Sequence, residues 1–354
     1  MNHGSRVLPA AGSLLLVALA AAAVPACTRY VELDRGPQAH YQTSFPITDT
    51  SGELGRALGS VKRIMVAVEY DTYLFPEGVS PTEAELDDPA ILERATDTLA
   101  ISRTRSATAV LVSVTSRNVG LVTANHAVHY PDTVAEYYRS EGVGVADGSD
   151  GRRIRSLSVK RRQSNWIVGL PDVATFEVLA FDDESDVALI GFEYPEDEEI
   201  ESVRPLPVAN GDPGRLSWGA FVYVLGHPSG YPMATRGIVS LSYGDESDSF
   251  VVDGLWNEGM SGGPVLAVRG DDGSLEWVGM ARAASARSEA RIVPPEGAVE
   301  QHDPDEPYEG PVYLEEVPRI QYGIMLSVPV TAIRRLIDDR RDDLQERGYR
   351  FPTF

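Results

Sequence analysis

The stretch Glu258-Gly259-Met260-Ser261-Gly262-Gly263-Pro264 holds residue types suited to nucleophilic chemistry. A serine that attacks a carbonyl must present its hydroxyl outward. It must also leave nearby backbone N–H groups free for the oxygen that becomes negative. Glycines two before, one after and two after the serine permit the tight, positive-φ turn that does both. An ordinary Gly-rich turn would carry the same letters, so the serine gains meaning only from what stands upstream.

Two upstream stretches matter. Leu121-Val122-Thr123-Ala124-Asn125-His126-Ala127-Val128 is an apolar run that ends in a histidine. Phe181-Asp182-Asp183-Glu184-Ser185-Asp186 is an acidic turn that runs into the apolar Val187-Ala188-Leu189-Ile190. Imidazole serves as a general base when a fixed, partly buried carboxylate holds its orientation. Asp182, Asp183 and Glu184 lie on the open side of the turn. Asp186 meets the strand at once and can be pinned at the edge of the core. Among the other histidines, His129 and His227 lack the motif around His126, and Gly226-His227-Pro228 reads as a loop.

The motifs T-A-x-H-x-V, D-x-A-x-[LI] and G-x-S-G-G-P, in the order His126, Asp186, Ser261, resemble those of chymotrypsin-like serine proteases. The likeness is to the bacterial HtrA-type branch in particular. Gly226-x-Pro228-x-Gly230, the run Gly237-Ile238-Val239-Ser240, and Asp253 and Asn257 ahead of the serine are similar to that branch. The resemblance covers about residues 58–340. It implies an all-β fold of two antiparallel six-stranded β-barrels with a C-terminal helix. His126 and Asp186 would come from the first barrel, and Ser261 from the second. It also implies hydrolysis of peptide bonds in protein or peptide substrates through an acyl-enzyme. Ser261 would be the nucleophile, His126 the base and then the acid, and Asp186 the residue that fixes the imidazole. The backbone N–H groups of Gly259 and Ser261 would form the oxyanion hole. Leu255, Met280 and Ala281 would line an apolar substrate pocket. No cofactor or metal is implied, and no PDZ domain follows the closing helix. Glu258 and Met260 depart from the family's usual residues, and the alternative is a latent protease fold that serves as an envelope scaffold.

The rest of the chain divides around these motifs. Its 354 residues and 43% hydrophobic content suit one large or two medium domains. A formal net charge of −22 repels phosphate and argues against nucleic acid as a partner. The single cysteine, Cys27, excludes an internal disulfide and Cys-rich structural zinc.

Residues 1–27 read as a secretory signal: Arg6, an apolar run to Ala23, then Val24-Pro25-Ala26-Cys27. That ending resembles a bacterial lipobox. It implies a lipid on Cys27, a membrane anchor, and a body facing the periplasm or exterior of the cell envelope. Residues 28–58 read as a flexible tether. The first barrel is expected over 59–196, the second over 205–330, and the closing helix and tail over 331–354. Val61–Val68 reads as the first strand, and a short helix is expected near Ala90–Leu99. Residues 130–170 read as an insertion with a basic cluster: Arg152, Arg153, Arg155, Lys160, Arg161 and Arg162. A solvated hairpin is the main reading there, and contact with an anionic lipid or polymer the other. Residues 194–205 read as a linker, 286–318 as a mobile loop near the site, and Thr331 as the cap of the closing helix.

Overall fold

The computed structural model describes residues 40–46, 48–115, 117–138, 152–170, 174–193, 203–242, 249–255, 257–293, 305–310 and 312–352. The signal stretch with Cys27, the tether up to residue 39, most of the linker (194–202) and the centres of both insertions (139–151 and 294–304) lie outside them.

The chain runs α1 (Ser51–Gly59), β1 (Val61–Leu74), β2 (Asp97–Val114), β3 (Asn118–Ala124), the single turn α2 (Asn125–Val128), β4 (Thr133–Tyr137), β5 (Ile154–Val168), β6 (Ala174–Thr175), β7 (Glu177–Asp182) and β8 (Val187–Glu193). It continues through β9 (Ala209–Asn210), β10 (Phe221–Gly226), β11 (Met233–Leu241), β12 (Phe250–Gly254), β13 (Pro264–Val268), β14 (Leu275–Val293) and β15 (Tyr313–Pro329), and closes with α3 (Val330–Asp339) and α4 (Arg341–Glu346).

The all-β, two-barrel expectation holds. In the first sheet β5, β1, β2, β3, β8 and β7 follow one another by hydrogen bonding. The ring returns to β5 through β6, which only Phe176 separates from β7. In the second sheet β13, β10, β11, β12, β15 and β14 form a ring closed by the β13–β14 pairing. Each barrel therefore has six positions around it. β4 is an extra edge strand on β5, and β9 is an extra parallel strand on β14.

The apolar runs of β2, β3, β8 and β13 explain how the barrels meet. Side chains alternate across a strand, so a continuous apolar run buries both faces. Ala109, Leu111, Leu121, Ala188 and Ile190 point into the first barrel. Val110, Val122, Val187 and Leu189 point the other way. There they share one cluster with Leu266, Val268 and Met280 of the second barrel and with Ile333, Leu336 and Ile337 of α3. Each of these side chains, taken fully out of water, contributes about 1.5–3 kcal/mol.

Several expectations are corrected. Residues 40–58 are not tether. Tyr41 is completely buried in the core of the second barrel. Gln42 donates its N–H to Val268 O, and its carbonyl accepts from Phe221 N. The Tyr41 hydroxyl donates to Glu276 Oε2 at 2.9 Å and accepts from Asp212 N at 2.9 Å. The first strand runs on to Leu74. The expected helix near 90–99 is a short 3-10 turn, Pro89–Arg94, which gives way to β2 at Asp97.

The hairpin in the first insertion is not solvated. Ile154 and Leu157 are buried with Phe75 and Ile91, and β5 pairs along nearly the whole of β1. Three of its basic residues meet acids: Arg161 with Glu69 of β1 at 2.6 Å, Arg152 with Glu83 of a short 3-10 turn at 2.7 Å, and Lys160 with Asp132 just before β4 at 2.7 Å. The described ends of the second insertion form a two-stranded ribbon. β14 and β15 pair from Ala286–Ile320 out to Val293–Tyr313. Finally, Pro329 precedes α3, and Thr331 Oγ1 is buried inside the first turn with no partner among the described residues.

Tyr41→Ala should lower the free energy of unfolding by about 3–5 kcal/mol, the usual cost of removing a buried aromatic ring. Urea denaturation would measure it. A tether residue would leave the midpoint unchanged.

Candidate active site

His126 sits in the one turn of helix that ends β3, and Asp186 sits where the acidic turn enters β8, the neighbour of β3. Asp186 has φ +59, the left-handed conformation that Asp tolerates better than most residues. This backbone lets it meet the histidine turn three times. Its carbonyl accepts from Asn125 N at 3.1 Å, Oδ1 accepts from His126 N at 2.8 Å, and Oδ2 lies 2.8 Å from His126 Nδ1. Asp186 is 6% exposed. The other acids of the turn do different work. Asp182 accepts from Glu184 N and Ser185 Oγ, and the Ser185 bond, the largest cause, holds its carboxyl below the usual carboxylate range. Asp183 accepts from Asn125 Nδ2 at 2.6 Å and lies 3.4 Å from His129 Nδ1, on the exposed side of the turn.

On its other side His126 Nε2 lies 3.1 Å from Ser261 Oγ. The turn before β13 thus reaches across to the first barrel, and the three residues form one continuous line. The glycines around Ser261 are dictated by contact as well as by φ. Gly259 has φ +101, and a Cβ there would lie 2.5 Å from His227 O. Gly262 has φ +89, and a Cβ there would lie 1.9 Å from Thr108 O.

Two peptide planes near the serine are held by their carbonyls. Glu258 O accepts from Ser229 N, and Met260 O accepts from Gly263 N. The N–H groups at the opposite ends of those planes, Gly259 and Ser261, have no acceptor among the described residues. Both residues line a cleft of about 240 Å³ together with Arg105, Ser106, Ala107, His126, Ala127 and Glu258. Two free N–H donors beside a serine hydroxyl are what an oxyanion requires.

The expected substrate pocket is not assembled from Leu255, Met280 and Ala281. Leu255 is 65% exposed and lines neither cleft beside the histidine, whereas Met280 and Ala281 are completely buried. The alternation of β14 sends Met280 into the seam between the barrels and Ala281 into the second barrel. Arg282 is the side chain on this strand that reaches a cleft beside the histidine.

Arg282 is a residue that the sequence reading passed over. Its Nε lies 3.2 Å from Asp186 Oδ2, and its carbonyl accepts from Ser261 Oγ at 3.0 Å. It lines a second cleft of about 550 Å³ with Asn125, His126, His129, Pro131, Asp183 and Asp186. Its place next to the expected pocket wall was the only signal. A second passed-over residue, Thr108 on β2, has no sequence signal at all.

Residues 107–279 match the family model for the trypsin-like peptidase domain, a span that takes in all three residues of the line. That stretch is a trypsin-like peptidase domain. No curated protein matches this chain in sequence. Two solved structures of a variant of the HtrA-type protease AlgW are similar to it. The one with a decapeptide is 15% identical, overlaps 83% of this chain and 67% of its own, and has a TM-score of 0.43. The one with a tripeptide is 13% identical, overlaps 83% and 64%, and has a TM-score of 0.42. This chain spans about two thirds of the length of each.

Within the peptidase domain His227 stands behind the serine loop. Burial, and then the positive charges of Arg63 and Lys62, depress its pKa from 6.5 to about 4. Its Nδ1 is buried without a partner among the described residues. The unfolded chain binds this proton near 6.5 and the folded chain near 4. Over that interval the unfolded state holds more protons, so stability falls as the pH drops through it. His227→Gln should flatten that part of the profile, and thermal melts across a pH series would show it. A profile with the same slope in the variant would exclude His227 as the source.

Proposed function

We propose that this chain is a serine endopeptidase of the HtrA type, exported and held in the bacterial cell envelope by a lipid on Cys27. The single observation that carries the catalytic reading is the unbroken line Ser261 Oγ–His126 Nε2–His126 Nδ1–Asp186 Oδ2, at 3.1 and 2.8 Å. Two unengaged N–H groups stand at its nucleophile end.

On this reading His126 Nε2 takes the Ser261 proton as Oγ attacks the peptide carbonyl. Asp186 fixes the imidazole through Nδ1 and stabilises the imidazolium that forms. The carbonyl oxygen, now negative, is met by Gly259 N–H and Ser261 N–H. His126 passes its proton to the leaving amine, and an acyl-enzyme remains. Water, activated by the same histidine, releases the acid product. Arg282 Nε and His126 N–H fix the two carboxylate oxygens of Asp186 from outside this relay. The substrate is a protein or peptide, in keeping with the peptidase family match, and the acidity of the chain disfavours anionic polymers.

One contact favours the second reading, a latent protease fold acting as a scaffold. Ser261 Oγ lies 3.0 Å from the carbonyl of Arg282, an acceptor that competes with His126 for the single hydroxyl proton. The two readings part on one experiment. A fluorophosphonate probe should label Ser261 in the parent chain and not in His126→Ala. Ser261→Ala should lower casein hydrolysis by at least about 10⁴-fold and leave the melting transition in place. A folded parent chain that takes no label is the scaffold. Palmitate incorporation that is lost in Cys27→Ser tests the anchor.

A further inference from the structure

We infer that Thr108, a residue of the first barrel, is a positioning residue for the oxyanion donors of the second. The inference rests on the peptidase reading above. Thr108 lies on β2 between Ala107 and Ala109, both of which point into the first barrel. The strand period of two therefore turns its side chain toward the other barrel. It is completely buried, and every polar atom it owns is engaged.

Its N–H donates to Ser261 O at 2.8 Å. Its Oγ1 donates to Gly259 O at 2.6 Å and accepts from His227 N at 2.9 Å. Its carbonyl accepts from Thr123 Oγ1 at 2.7 Å. One residue thus holds the carbonyls of Gly259 and Ser261, the two residues that line the cleft and whose N–H groups have no acceptor among the described residues. Fixing those carbonyls fixes the rotations on the far side of each Cα. The N–H vectors are then set from the first barrel, which also carries His126 and Asp186. The hydroxyl further ties Gly259 to His227, the residue whose carbonyl forbids a side chain at position 259.

Such a bond acts on the transition state, because the substrate carbonyl leans on the donors only once it becomes negative. Thr108→Val keeps the shape and removes the hydroxyl. With a chromogenic peptide ester, kcat should fall by about 10- to 100-fold while KM stays within about twofold, the signature of an interaction made in the transition state. Thr108→Ser should restore kcat to within about threefold. Activities are taken per folded molecule, with near-ultraviolet circular dichroism as the check. If the valine variant does not fold, Thr108→Ser and Thr108→Cys replace it. The serine form keeps a strong donor and the cysteine form a weak one, and their kcat values should differ by at least about tenfold.

Parent-like kcat in Thr108→Val, serine and valine forms equally impaired, or serine and cysteine forms equally active overturns the inference and leaves the peptidase reading standing. A folded parent chain that neither turns over the ester nor takes a fluorophosphonate label overturns both.

Discussion

The seam between the two barrels has to be dry on one side and catalytic on the other. The apolar runs of β2, β3, β8 and β13 are buried on both faces, and their outward-facing aliphatic residues form one cluster with α3. Hydrophobic contact of this kind is non-directional. It draws the barrels together and leaves their relative register to other forces. Directional bonds at the rim of the seam supply that register. Thr108 reaches to Gly259 and Ser261, Arg282 reaches to Asp186, and Ser261 reaches to His126. The apolar part holds the halves in contact, and the polar part fixes their offset through bonds of defined length.

Much of this was legible in the sequence, for identifiable reasons. The serine turn could be read because its glycines answer to hard contacts, such as a backbone oxygen 1.9 Å from where a Cβ at Gly262 would lie. Asp186 could be separated from three neighbouring acids because it alone adjoins the apolar run of β8. Individual strands could be read from runs of apolar residues, and their grouping into two barrels came from the resemblance of the three motifs to a known family. Other features are invisible in the letters. Tyr41 sits among polar residues, and its partners Asp212 and Glu276 are 171 and 235 positions away. Thr108 is one threonine in a strand, and only the other barrel gives it meaning. The Pro- and acid-rich second insertion reads as loop by composition, yet backbone bonding between β14 and β15, which needs no apolar side chains, carries its described ends into a ribbon. The expected pocket wall failed for a related reason. Strand alternation says which residues share a face, not whether that face meets a cleft or a second layer of core.

The acidity of the chain is handled locally. Three basic residues of β5 and its approach, Arg161, Arg152 and Lys160, pair with Glu69, Glu83 and Asp132. Exposed pairs of this kind add little stability. Their arrangement sets an acid against three of the six basic residues of the first insertion's cluster, Arg152, Lys160 and Arg161.

Tyr41 and Gln42 fix where the chain joins the body mechanically. A pull applied at His40 is taken up first by a ring plugged into the second barrel and by backbone bonds to β10 and β13. β13 begins three residues after Ser261, so the strand that holds Gln42 is also the one that the serine turn feeds. The segment that enters the body through the second barrel then runs through α1 into β1, and so belongs to both halves.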